Sequence, residues 1–269
     1  MEAWWQESII MDYMHHICSL KDEEWLENQI HAGKVLAKAI KEAIKSVSVG
    51  ATTKEIDDVC ENVILDHEGC TPTFKGFTGF PCATVISLNE EVVHGIPNKE
   101  RRICGGDIIT VDAGVTYNGA IADMARTFSI GYISSEFELL IKTCEECFHA
   151  AVRAIEKADK PRLGDIGYAI SREAKKIGAN VIVDYGGHGI EKNKPHAHPF
   201  VYNYGERGKG PILYSPGTVI CIEPMLTFGP ATTNIKDDGW TVCTKETSVH
   251  YENTIFIGEN NKVTHITDI

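Results

Sequence analysis

Hydrophobic residues recur at helical spacing in two neighbouring stretches of the first quarter of the chain. From about Asp22 they fall three or four positions apart, which predicts a long amphipathic helix that ends at Gly50. A capping box at residues 52–55, TTKE, then predicts the start of a second helix that stops near Gly69. The apolar positions of these two helices are Leu26, Ile30, Val35, Leu36, Ile40, Ala43 and Ile44, then Ile56, Val59, Cys60, Val63 and Ile64.

Residues that favour strands follow the helices. The run Ala83 to Leu88 predicts a strand, and a loop leads from it to the apolar stretch 106–128, GDIITVDAGVTYNGAIADMARTF. That stretch has β-branched residues on both sides of Asn118-Gly119, the dipeptide that most strongly indicates a two-residue β-turn. We therefore predict a β-hairpin centred on these two residues.

Two carboxylates interrupt this apolar hairpin. With the turn at residues 118 and 119, Asp112 lies opposite Ala125. Asp123 then lies opposite Gly114, so the two acids are diagonal neighbours on one face, about 7 to 8 Å apart at the backbone. Buried carboxylates are unfavourable unless they are protonated, paired or bound to a cation. From the hairpin alone a second interpretation stays open, in which Asp112 is a turn residue and Asp123 pairs with Arg126.

The second half of the chain repeats the order of elements in the first half. Two helical patterns come first, and strand patterns follow them. We predict helices at 135–158 and 165–177, and strands that begin at 181–184 and lie at 218–226, around 240–244 and at 251–256. The pattern predicts one α+β domain in which two similar halves back a continuous antiparallel sheet with helices.

The second half also repeats the intrusion of acids into apolar strands. Glu223 interrupts TVICIEPML, and Glu252 interrupts HYENTIFIG. His188 lies between small residues in DYGGHGI, which leaves its imidazole unobstructed. Together with the two hairpin aspartates these residues carry a formal charge that two divalent cations would cancel, so a di-metal site is the economical interpretation. Such sites support hydrolysis.

Composition and charge narrow the class of protein. The chain has 269 residues, a formal net charge of −12 and nine cysteines. The acidic balance disfavours nucleic acid or an anionic membrane as the main partner. The cysteines follow no disulfide framework, which indicates a reducing compartment, and Cys144 and Cys147 fall on the apolar face of a predicted helix. Neither a signal peptide nor an apolar run of membrane-spanning length is evident, so we expect a cytoplasmic protein.

Six short motifs follow one another along the chain: HGIPN at 94–98, the paired aspartates of VDAGVTYNGAIADMARTF, GGHGI at 186–190, IEPM at 222–225, DGWT at 238–241 and YENT at 251–254. Together, in this order, they closely resemble the motifs of the bacterial type I methionine aminopeptidases, which are pita-bread metallopeptidases. The resemblance covers most of the chain from about residue 25. It implies a pita-bread fold with two pseudo-symmetric halves and the metals in the central sheet. We accordingly expect residues 1–20 to be a short extension and 21–269 to be a single catalytic domain.

The resemblance also implies roles for the five candidate ligands of two divalent ions. Asp112 would bind one ion, Asp123 and Glu252 would bridge both, and His188 and Glu223 would complete the second. Glu223 would in addition be the general base. The sequence does not distinguish Mn, Fe, Co and Zn as the native metal.

Two further histidines would act on the substrate if the resemblance holds. His94 would contact the scissile amide, and His196 would hydrogen-bond the carbonyl oxygen as it becomes tetrahedral. The sequence departs from the family here, because HAHP at 196–199 stands where His-Glu-Glu-Pro is usual. Matching on His-x-x-Pro selects His196, and His198 remains the alternative.

The substrate implied by the resemblance is a peptide or nascent chain with an N-terminal methionine and a small second residue. Nascent chains would be bound at the ribosome. The residues expected to line the methionine pocket are Phe77, Phe80, Met225 and Trp240. A monomer is expected. Two alternatives stay open: a proline-directed peptidase of the same fold, and a binding module that keeps the fold without catalysis.

Overall fold

The computed structural model describes residues 20–213 and 216–269. The expected extension at 1–20 therefore lies, except for its last residue, outside the described residues. Within those ranges the helices are α1 (Glu23–Ser46), α2 (Thr53–Leu65), α3 (Ser135–Lys157) and α4 (Leu163–Lys175). None of these helices is both long enough and apolar enough to cross a membrane.

The strands are short apart from the predicted hairpin. They are β1 (Cys70–Pro72), β2 (Thr84–Leu88), β3 (Glu91–Val93), β4 (Ile108–Tyr117), β5 (Ala120–Ser129), β6 (Asn180–Val181), β7 (Gly187–Glu191), β8 (Lys194–Val201), β9 (Thr218–Ile222), β10 (Met225–Thr227), β11 (Asn234–Ile235), β12 (Val242–Cys243), β13 (Ser248–His250), β14 (Glu252–Ile257) and β15 (Val263–His265). Two single turns of 3₁₀ helix lie at Phe77–Gly79 and Glu259–Asn261.

One antiparallel sheet joins the two halves of the described chain. Its strand order is β1-β4-β5-β14-β9-β7-β8, with β2 also paired to β4 and β15 also paired to β14. The central pair, β5 and β14, brings one strand from each half together. Two three-stranded sheets, β13-β10-β6 and β11-β12-β3, flank it.

The predicted hairpin and its register are confirmed. In the ladder between β4 and β5, Asp112 pairs with Ala125, and Gly114 pairs with Asp123. The turn residue Asn118 has φ 49° and Gly119 has φ 84°. Positive φ at both positions is the geometry that an Asn-Gly hairpin turn supplies.

The helices pack on one face of the sheet, and the predicted ligands lie on the other face. In the first half, α1 and α2 pack on alternate residues of β4 and β5, including Val111, Ala113 and Met124. In the second half, α3 and α4 pack on alternate residues of β9 and β14, including Ile220 and Ile255. Since side chains alternate across a strand, the residues between these apolar ones point away from the helices. The two-half arrangement that the sequence predicted is present.

Several element boundaries differ from the prediction for local reasons. The strand expected to continue to Asp184 ends at Val181. The strand around 240–244 is reduced to β12, since Asp238 Oδ1 accepts hydrogen bonds from the backbone N–H groups of Trp240 and Thr241 and so holds a turn there. The fourth helix begins at Leu163, two residues earlier than expected.

We expect Gly33→Ala to lower the free energy of unfolding by about 1 to 3 kcal/mol, the usual cost of overpacking. A Cβ at this buried position of α1 would lie 2.0 Å from the carbonyl oxygen of Ile266, so the helix or the C-terminal segment would have to shift. Urea unfolding measures the effect, with the exposed neighbour Lys34→Ala as the control. Equal stability of the two variants would contradict the close approach.

Candidate metal and substrate site

The polar face of the sheet gathers the five predicted ligands around one cavity. Each ligand comes from a different strand or strand end, and all five are buried. They are Asp112 on β4, Asp123 on β5, His188 on β7, Glu223 one residue beyond β9, and Glu252 at the start of β14. The cavity has a volume of about 490 Å³ and is lined by all five side chains.

His188 lies close to three of the four acids. Its Nε2 atom is 3.9 Å from Asp123 Oδ2, 3.7 Å from Glu223 Oε1 and 3.8 Å from Glu252 Oε1. The other ring nitrogen, Nδ1, lies 3.1 Å from the carbonyl oxygen of Gly189. A hydrogen bond from Nδ1–H to that oxygen would leave Nε2 as the lone-pair atom that faces the acids, as a metal-binding histidine requires.

Backbone and side-chain hydrogen bonds fix the acids at the junction of β5 and β14. Thr254 Oγ1 accepts from the backbone N–H of Asp123 at 2.8 Å and donates to the Asp123 carbonyl at 2.9 Å. On the opposite face, Arg126 Nη1 donates to the carbonyl oxygens of Ala125 and Glu252, at 2.9 and 2.7 Å. The interpretation in which Asp123 pairs with Arg126 is therefore wrong, and so is a turn position for the other hairpin aspartate, which lies within β4.

The pKa values of the four acids differ from their ordinary values because the acids are buried beside other ionisable groups. Burial, together with the charge of neighbouring carboxylates, raises the pKa of Asp112, Asp123 and Glu252 well above their ordinary values. Burial also acts to raise the pKa of Glu223, but His250 and His188 outweigh it, so that pKa is lowered. Among the described residues, Asp112 Oδ1 is buried with no hydrogen-bond partner. A buried acid cluster with an oxygen that lacks a hydrogen-bond partner favours the binding of cations.

The donor set fits divalent metal ions. Carboxylate oxygens with one imidazole suit Mn, Fe, Co and Zn. One donor atom from each of Asp123, His188, Cys221 and Glu252 can be chosen so that all four lie within 4.8 Å of one another. Cys221 is an addition to the predicted set.

Comparison with known proteins assigns the chain to a family. The model of metallopeptidase family M24 matches residues 27–259, most of the chain. The chain belongs to metallopeptidase family M24. Its relatives include a methionine aminopeptidase of Clostridium perfringens, 42% identical over 244 residues that cover 90% of this chain and 95% of the relative. A methionine aminopeptidase of Clostridium acetobutylicum is 41% identical with the same coverage.

A solved structure bears out the fold of this M24 chain. The crystal structure of methionine aminopeptidase from Rickettsia prowazekii superposes with a TM-score of 0.88 at 30% identity. It covers 94% of this chain and 100% of that one. The predicted pita-bread fold is confirmed.

Aromatic residues form the apolar wall of the M24 cavity. Phe80 and Trp240 contact edge to face, with ring centroids 5.2 Å apart, and Met225 lies in the same cavity. Phe77 contacts His196 at a centroid distance of 5.5 Å. The structure thus brings all four predicted pocket residues to the cavity. Sequence reasoning missed the further lining residues, which are Phe74, Thr78, Val85, Val93, Asp184, Tyr185, Gly186 and Phe200.

The predicted substrate histidines, His94 and His196, also line the cavity. His94 has φ 61°, an uncommon conformation for a residue with a side chain, and the strain is of the kind found at functional sites. Burial lowers its pKa. Burial and the neighbouring His188 lower the pKa of His196 to about 4, although this side chain keeps substantial solvent exposure in the open cavity. His198 is not among the described residues that line it.

Sequence reasoning missed His250, which is 1% exposed and contacts two of the acids. Its Nε2 atom lies 3.5 Å from Glu223 Oε2 and 4.0 Å from Glu252 Oε2. The signal was available, since His250 stands two residues before Glu252 and side chains two apart on an extended chain share a face.

We expect Asp123→Asn to stabilise the metal-free protein, and the gain to increase with pH. Burial raises the pKa of the Asp123 carboxyl in the folded protein. Such a group does not change the free energy of unfolding below its unfolded pKa, about 3.9, and lowers it as pH rises from there to the folded pKa. Removing the charge should add on the order of 1 kcal/mol or more to the free energy of unfolding at pH 8, and less at pH 5.

Thermal unfolding of the chelator-treated protein measures this effect, with the exposed Asp237→Asn as the control. Added Mn²⁺ should reverse the order, because only the wild-type site keeps every ligand. If the metal-free variant were less stable than metal-free wild type at pH 8, the buried carboxylate of Asp123 would not be destabilising.

Proposed function

We propose that this protein is a metal-dependent methionyl aminopeptidase that removes the N-terminal methionine from peptides and nascent proteins with a small second residue. The observation that carries the proposal is a single cavity that is lined both by a cluster of acids and by aromatic side chains. That combination supports a hydrolytic centre beside a pocket for an unbranched apolar side chain. The high identity to methionine aminopeptidases over nearly their whole length supports the same conclusion.

Two divalent ions would be held by the five ligands Asp112, Asp123, His188, Glu223 and Glu252. When bound, they supply Lewis acidity and an activated water. Glu223, whose lowered pKa keeps it ionised, would accept the proton of the attacking water. The acidic cavity attracts the cationic α-amino group of the substrate.

The remaining residues would orient the peptide. The methionine side chain would lie against Phe80, Met225 and Trp240, and the thioether is well suited to aromatic walls. His94 would contact the scissile amide. His196, neutral at pH 7 because its pKa is about 4, would donate a hydrogen bond to the carbonyl oxygen as negative charge develops there.

The wider setting is part of the same proposal. Residues 21–269 would form one catalytic domain, supported by the sheet that spans both halves and by the family match to 27–259. The protein would act as a cytoplasmic monomer on chains that emerge from the ribosome. The net charge of −12 supports peptides rather than nucleic acid or membranes as its substrates.

Release of free methionine from a Met-Ala-Ser peptide by metal-stripped protein, with and without Mn²⁺, tests the proposal. Metal-dependent cleavage of this peptide, with an Ala-Pro-Ala control left intact, is the expected result. Cleavage of the prolyl peptide alone would assign the site to a proline-directed peptidase. Cleavage of neither would leave a binding module.

A further inference from the structure

His250 occupies a position that the proposed mechanism does not use. It is the last residue of β13 and pairs with Met225 of β10, directly beside the proposed methionine pocket. The ring is almost fully buried, and both of its nitrogens lack a hydrogen-bond partner among the described residues. A buried polar group without a hydrogen-bond partner is costly, so the presence of an imidazole at this place calls for a function.

The two oxygens of Glu223 face two different imidazoles. Oε1 lies 3.7 Å from His188 Nε2, and Oε2 lies 3.5 Å from His250 Nε2. The first oxygen therefore faces a proposed metal ligand, and the second faces a residue that the proposed site does not use. Glu252 Oε2 is the next carboxylate oxygen near the ring, at 4.0 Å.

His250 also lines a second cavity. That cavity has a volume of about 300 Å³ and is polar enough to hold water, since its lining includes Arg126, Glu145, His149 and Asp268. A neutral ring that carries its hydrogen on Nε2 would direct it at Glu223 Oε2, and a small closure of the 3.5 Å contact would make a hydrogen bond.

We propose that His250 is a positioning residue for the general base, holding Glu223 Oε2 by its Nε2–H so that Oε1 stays directed at the metal centre. This inference rests on the proposed function. Holding the carboxylate in one orientation matters because small displacements of a catalytic group cost large factors in rate. The hydrogen bond would also satisfy one of the two unpartnered ring nitrogens.

The variants His250→Gln and His250→Asn form a matched pair. Both are neutral and polar, but the glutamine amide reaches the place of Nε2, whereas the asparagine amide reaches only that of Nδ1. We expect His250→Gln to keep kcat on Met-Ala-Ser within about threefold of wild type. His250→Asn should lose about tenfold or more in kcat with little change in KM. His149→Leu, which alters the second cavity without contacting Glu223, should behave as wild type.

A second readout does not depend on turnover. The visible absorption of the Co²⁺-loaded protein reports the ligand geometry at the metal, so the spectrum should change in the asparagine variant and be retained in the glutamine variant. Equal kcat and equal spectra in wild type and both variants would overturn the proposal. An equal loss in both would show a purely structural role and overturn it too. A wild-type protein that releases no methionine would instead defeat the proposed function, and the Co²⁺ spectra would still decide the role of His250.

Discussion

Glu223→Ala should yield a folded protein whose turnover of Met-Ala-Ser is lower by on the order of a thousandfold or more. The change removes the proposed base and one metal ligand at once. Glu223 is the acid of the cluster whose pKa is lowered, because His250 and His188 outweigh the effect of burial. It is therefore ionised at neutral pH, as a group that accepts a proton must be.

Steady-state kinetics and metal analysis on the same sample separate the two functions of Glu223. Glu223→Gln keeps the shape of the side chain and removes its basicity, so it should lose nearly as much activity as the alanine variant. The exposed Glu246→Ala is the matched control and should retain full turnover. Near-normal activity of Glu223→Gln would mean that another group accepts the proton.

His196→Ala should lower kcat by roughly a hundredfold, whereas His198→Ala should change it by less than about threefold. The His196 ring contacts the rings of His188 and Phe77, at centroid distances of 4.6 and 5.5 Å, so it lies beside one of the proposed metal ligands. His198 lies on the same strand, but the described residues that line the cavity do not include it.

Side-by-side kinetics on Met-Ala-Ser decide between the two histidines. His196→Gln, which retains an N–H donor, should recover part of the lost rate. Since the pKa of His196 is about 4, its ring should stay neutral down to about pH 5, and its protonation should not produce a loss of activity between pH 7 and pH 5. A large loss in His198→Ala alone would reverse the assignment.

The hairpin and the gathering of acids could be predicted because both follow from local rules. Asn118-Gly119 sets the register, and the register sets which side chains share a face. Single acids within apolar strands then indicate a common site, because a buried carboxylate is costly unless a cation or a proton neutralises it.

Other parts of the site depend on distant contacts that no local pattern encodes. Val85, Tyr185 and Phe200 line the cavity from separate segments, and only the folded sheet brings them together. The short strand at Val242–Cys243 is limited by the turn that Asp238 holds. Cys221 and His250 were within reach of the same alternation that revealed the acids, but cysteine and histidine do not stand out in a strand as carboxylates do.

The pairing of β5 with β14 has a consequence for how the protein acquires its metal. Asp112 and Asp123 come from the first half of the chain, and His188, Glu223 and Glu252 come from the second. Glu252 comes 140 positions after Asp112 in the chain. If these five residues hold the metal, the full set of donors would exist only once Glu252 has left the ribosome. Bound metal would then join the two halves of the chain across the pairing of β5 with β14.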